Sequence, residues 1–125
     1  MDKIKITIWG RDFELAKIYE CHKDEEVTPE QLKAYDCFVS NPEWLENAKT
    51  LVEEYAKASV LADDTNKKKE SIFSYVIPDY ILIKRYDDNP RVALMCKYKY
   101  EPEHGLAIVF TNTGEIEIGI QDIIL

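Results

Sequence analysis

Glu101, Glu103 and His104, with Asp122 a strand away, join a histidine to several carboxylates. An imidazole oriented by a carboxylate can act as a general base, and a histidine with two carboxylates can hold a divalent cation. Against both readings, Glu103 and His104 are consecutive in what reads as a tight loop, so their side chains diverge. Gly105 is accounted for as a turn residue with positive φ. The four residues are therefore carried as a speculative site, and a loop histidine does not by itself imply function.

A second candidate is Cys21-His22 with Asp24, Glu25 and Glu26. A nucleophilic cysteine needs a cationic neighbourhood that lowers its pKa, and this one is ringed in sequence by acids, so a strand end entering an acidic loop is the better reading. Tyr98 and Tyr100 alternate with Lys97 and Lys99, a pattern that can stack on single-stranded bases. The formal net charge of −8 opposes that, and opposes binding to anionic membrane surfaces, because both need clustered cations. The basic run Lys67-Lys68-Lys69 is flanked by Asp63, Asp64 and Glu70 and reads as a solvated connector. No glycine-rich phosphate loop, nucleophile elbow, paired metal-binding cysteines or helical His-x-x-x-His occurs, so no cofactor is expected.

The elements that would position these residues follow from periodicity. Residues 3–9 alternate Ile4, Ile6 and Ile8 against Lys3, Lys5 and Thr7, the pattern of a strand with one buried face. After a turn at Gly10-Arg11-Asp12, residues 13–21 give a second strand, and the two form a hairpin. Lys17 falls in the apolar phase of the second run, which predicts a bulge or a lysine on an exposed edge. Thr28-Pro29-Glu30-Gln31 predicts a capping box and a helix start, with Leu32, Tyr35, Phe38 and Val39 on one side. That helix ends near Ser40, because Pro42 disfavours helical geometry at Asn41. Asn41 and Pro42 then open a longer helix through Leu61, with Trp44, Leu45, Ala48, Leu51, Val52, Tyr55 and Ala56 inward. Glu46, Lys49, Glu53, Glu54 and Lys57 take the opposite side.

Residues 63–70 are a polar connector, and 71–77 read equally as short helix or strand. From Asp79 the strand pattern resumes at Tyr80-Ile81-Leu82-Ile83, with a turn at Asp87-Asp88-Asn89-Pro90. Val92, Leu94, Cys96, Tyr98 and Tyr100 then share one face. Residues 106–110 are apolar on both faces, as in a central strand. The turn at Asn112-Thr113-Gly114 leads to Ile116, Ile118 and Ile120, and Gln121-Asp122 breaks the pattern. The order predicts one α+β domain over residues 1–125: an N-terminal hairpin, two central helices on one face of a mainly antiparallel sheet, and a C-terminal meander.

At 125 residues, 46% apolar and 32% charged, the chain has the composition of one folded domain. Its longest apolar runs are strand-sized and too short to cross a bilayer. The opening Met1-Asp2-Lys3-Ile4-Lys5 lacks the apolar stretch of a secretory signal, so a cytoplasmic location is expected. Three scattered cysteines, Cys21, Cys37 and Cys96, fit reduced thiols rather than a disulfide framework.

Tyr100-Glu101-Pro102-Glu103-His104-Gly105-Leu106-Ala107-Ile108, followed by Gly114, Glu117, Gly119, Gln121 and Asp122, resembles the closing signature of a family of small uncharacterised bacterial domains. The resemblance covers roughly the last 35 residues and carries no activity, substrate or cofactor. Some acidic bacterial domains of similar make-up resemble immunity partners of secreted toxins, which would suit a negative charge meant for a basic enzyme. The expected function is a non-catalytic acidic module that binds another protein, with a small hydrolase or metal-dependent enzyme centred on His104 as the alternative.

Overall fold

Strand β1 (Asp2–Ile8) and strand β2 (Arg11–Tyr19) form the expected hairpin in unbroken antiparallel register, from Asp2 opposite Lys17 to Ile8 opposite Arg11. The computed structural model describes residues 2–21, 26–60, 72–85, 91–111 and 113–124. The predicted turn at Asp87-Asp88-Asn89-Pro90 and the connector at 63–70 lie outside them, as do His22, Asp24, Glu25, Ser71 and Asn112. The hairpin turn sits at Trp9 and Gly10, earlier than the Gly10-Arg11-Asp12 expected, with φ of +51° and +83°. Two successive positive φ angles give the tight turn whose twist matches the strands, and glycine takes one of them without strain. Trp9 takes the other at a cost of about 1–3 kcal/mol. Its indole offsets this by donating from Nε1 to Leu45 O at 2.7 Å and packing 5.9 Å from the Phe73 ring.

Lys17 is on neither a bulge nor an edge, since β2 is flanked by β1 and by β3 (Val76–Ile83). It points into the helix-bearing side, where its ammonium lies 4.5 Å from the ring centroid of Tyr35 and 5.3 Å from that of Tyr19. Two aromatic faces accept the cation where the alternation calls for an apolar residue.

Helix α1 (Pro29–Ser40) starts on the predicted box: Gln31 N donates to Thr28 Oγ1 at 3.1 Å, and Thr28 N donates to Gln31 Oε1 at 3.0 Å. Its inward stripe differs from expectation. Gln31, Ala34 and Phe38 are buried, whereas Leu32 and Val39 are 49% and 47% exposed. The helix is rotated because Gln31 has more to do inside than leucine would. Its Nε2 donates to Glu20 O at 2.8 Å and to Ile83 O at 3.1 Å, fastening the first turn to the ends of β2 and β3.

Helix α2 (Glu43–Val60) buries Trp44, Leu45, Ala48, Val52 and Ala56, while Leu51, expected inward, is 39% exposed. The undecided segment resolves into a short 3₁₀ turn at Ile72–Ser74 and then β3, which begins before the Asp79 predicted from alternation. Pro78 lies inside β3, and the register with β4 (Val92–Tyr98) shifts between Pro78 and Tyr80. A residue without an N–H is accommodated at such an irregularity. Strands β5 (Leu106–Phe110) and β6 (Ile116–Gly119) complete the meander, and a 3₁₀ turn at Gln121–Ile123 accounts for the break at Gln121-Asp122.

Among the described residues the fold is α+β: six strands in the order β1-β2-β3-β4-β5-β6, with the two helices in the crossover from β2 to β3. That crossover makes β2 and β3 parallel, and every other neighbouring pair is antiparallel. The helix side of the sheet holds the larger core, with Leu15, Phe38, Trp44, Val52, Ile81, Leu94 and Phe110 among its members. The opposite side holds Leu82, Ala93, Met95, Ala107, Val109 and Ile124. Strands β4 and β5 are thus apolar on both faces, as central strands are.

Strands β1 and β6 run in the same direction, which puts the β1–β2 and β5–β6 turns at opposite ends and opposite edges of the sheet. Yet Leu45 accepts from the Trp9 indole, while the neighbouring Trp44 packs so closely on Gly114 that a Cβ there would lie 2.8 Å from its Nε1. The sheet therefore coils, and two diagonal corners fold over the start of α2. Among the described residues, no helix is long and apolar enough to cross a membrane.

Candidate functional site

The loop that carries Glu101, Glu103 and His104 is closed by its own backbone. Glu101 N donates to Tyr98 O at 3.2 Å and Gly105 N donates to Glu101 O at 2.8 Å, so Glu103 and His104 are left at an exposed apex. The C-terminal segment then locks onto it. Gln121 N donates to His104 O at 3.0 Å, and Gln121 Nε2 donates to Cys96 O at 3.1 Å. Gly105 makes this possible: it has φ +60°, and a Cβ would lie 2.7 Å from Gln121 Nε2 and 2.8 Å from Cys96 O.

This clasp brings the backbone of Gln121 and Asp122 alongside His104. Glu103, His104 and Asp122 are exposed and Glu101 is half-buried. Among the described residues no three His, Cys, Asp or Glu side chains are grouped to hold a metal ion. The glutamine that does converge on the loop stands in the sequence as a pattern break and as part of the closing signature, with no role attached to it; a polar residue following a half-buried strand is the available signal.

A second polar cluster, at the carboxyl ends of β2 and β3, is legible only in three dimensions. Lys84 is 9% exposed and its Nζ lies 2.5 Å from Glu20 Oε2, while Glu20 Oε1 accepts from Arg85 N at 3.0 Å. Gln31 reaches the same place from α1. A buried ammonium is tolerated there because a carboxylate meets it at hydrogen-bonding distance. Arg85 Nη1 donates to Glu26 O at 2.6 Å and lies 3.8 Å from Cys21 Sγ. The thiol expected to be ringed by acids thus has a guanidinium beside it among the described residues. The chemistry this cluster performs within the chain is attachment of α1 to the sheet.

Cys96 is fully buried, and desolvation, with Asp79 adding to it, pushes its thiol far above the ordinary range. Cys21 is exposed. In the native protein a thiol reagent is expected to modify Cys21 and spare Cys96 until the chain unfolds. Because the folded thiol holds its proton longer than the unfolded one, stability is complete below the unfolded pKa near ~8.5 and falls as pH rises above it, by about 1.4 kcal/mol per pH unit. Tyr35 and Tyr80 are also raised by burial and add the same sign at higher pH. Urea unfolding of wild type and Cys96→Ala between pH 8 and 10 checks this, since the variant should lose most of the slope.

No curated protein and no solved structure matches this chain. The family described as Domain of unknown function (DUF6985) matches it over residues 1–125, and the chain belongs to that family.

Proposed function

We propose that the chain is a non-catalytic cytoplasmic module that binds a basic protein through an acidic outer surface, in the manner of an immunity partner. The observation that carries this is the outward side of α2. Glu43, Glu46, Asn47, Thr50 and Glu54 recur there at helical spacing, all exposed, on the side opposite the buried Ala48 and Val52. Leu51 is exposed on the same helix, and Leu32 and Val39 on α1. Apolar side chains set among carboxylates supply contact area, and the charge steers a cationic partner and sets orientation.

The wild-type chain is expected to retain a basic partner at ~50 mM salt and release it at ~500 mM, where screening shortens to a few ångströms. Glu43→Lys, Glu46→Lys and Glu54→Lys together should weaken capture at least ~10-fold while the chain stays folded, with a lowered melting temperature because Glu43 and Glu46 occupy the first turn of α2, where each acid is worth about 0.3–1 kcal/mol. Capture that ignores both salt and these reversals overturns the proposal. Stoichiometric retention of a metal, lost on His104→Ala, would favour the alternative enzyme centred on Glu101, Glu103, His104 and Asp122.

A further inference from the structure

Among the described residues, β1 and β6 each have one strand neighbour, so the sheet has two free edges. Their sequences are complementary. Strand β1 presents Lys3-Ile4-Lys5-Ile6, and β6 with the residue before it presents Glu115-Ile116-Glu117-Ile118. In both, the isoleucines are half-buried against the helix-side core, while the lysines and glutamates are exposed. We infer that the β1 edge of one molecule pairs with the β6 edge of a second copy of this chain.

The geometry selects one arrangement. Because β1 and β6 run in the same direction, a copy placed beside the first with its helices on the same side brings β6 alongside β1 in parallel. Ile116 and Ile118 then continue the row of Ile4 and Ile6, and Glu115 and Glu117 face Lys3 and Lys5 across the strand gap, where opposite charges attract and like charges repel. A two-fold copy pairs β1 with β1 or β6 with β6, setting lysine against lysine or glutamate against glutamate. Closed dimers through these edges are thus disfavoured, and the contact is head-to-tail, able to add further copies. Strand β1 pairs with β2 over seven positions with no proline or bulge, so none of the usual backbone devices that blunt an edge protects it. The Arg91 Nη1 to Glu117 Oε1 contact is long, at 3.8 Å, and leaves the Glu117 side chain 61% exposed, accessible to a second cation.

Sedimentation of the whole chain over a concentration series tests this. At low salt the average mass is expected to rise continuously with concentration past that of a dimer, and to fall back to the monomer at ~500 mM salt. Lys3→Glu with Lys5→Glu, or Glu115→Lys with Glu117→Lys, should each give a monomer. An equimolar mixture of these two variants should associate again, since each then offers the other a complementary edge, and the fourfold swap should self-associate like wild type. A wild type that is monomeric at every concentration, a salt-resistant closed dimer, or a mixture that stays monomeric while both variants melt as wild type does, overturns the inference.

Discussion

Replacing Phe110 with alanine is expected to remove about 3–5 kcal/mol of folding stability, a large share of the 5–15 kcal/mol that a domain of this size possesses. Phe110 is 1% exposed and ends β5, where it pairs with Val92 on one side and Ile116 on the other. The Phe38 ring of α1 lies 5.2 Å away, and the Trp44 indole of α2 stacks on it at 6.2 Å with planes 14° apart. One side chain thus joins both helices to the sheet, and its removal leaves a cavity that no single neighbour can fill. Phe110→Leu, which keeps most of the volume but not the ring contacts, should cost about 1–2 kcal/mol. Urea unfolding followed by tryptophan fluorescence measures both, with Trp44 reporting from the site itself. A loss below ~1 kcal/mol for the alanine variant would mean that the three rings do not form one packed unit.

The parts of this fold that were legible are those in which a single local rule decides the outcome. Alternation in residues 3–8 sets β1, and Thr28 to Gln31 sets the start of α1 because a capping box is closed within four residues. The errors occur where a distant partner decides. Gln31 reads as a cap residue, and it is one, but its amide also serves Glu20 and Ile83, which rotates α1 and moves Leu32 and Val39 outward. Lys17 breaks the alternation of β2 because the ring of Tyr35 waits above it, eighteen positions along the chain. The β2–β3 pairing is parallel because the helices return the chain to the same end of the sheet, which strand composition does not encode. The candidate site is subject to the same rule: polarity in a loop identifies exposed residues, and whether they converge depends on which segment packs against them.

That last point separates two neighbouring residues. Gly105→Ala is expected to cost about 3 kcal/mol or more, and His104→Ala less than ~0.5 kcal/mol. An added Cβ at Gly105 must occupy a left-handed conformation, worth roughly 1–2 kcal/mol, and it meets Cys96 O at 2.8 Å. Cys96 cannot retreat, because its strand is held by Pro78 on one side and Leu106 on the other. The remaining way to make room is to expel the Gln121 amide, which removes its hydrogen bond to that carbonyl. His104 offers only its backbone carbonyl to the clasp, and alanine keeps that. Comparing the two variants by thermal and urea unfolding therefore asks whether this loop is built around an imidazole or around the absence of a side chain. Equal losses would assign the histidine ring a structural role that its exposure does not suggest, and a neutral Gly105→Ala would dissolve the clasp.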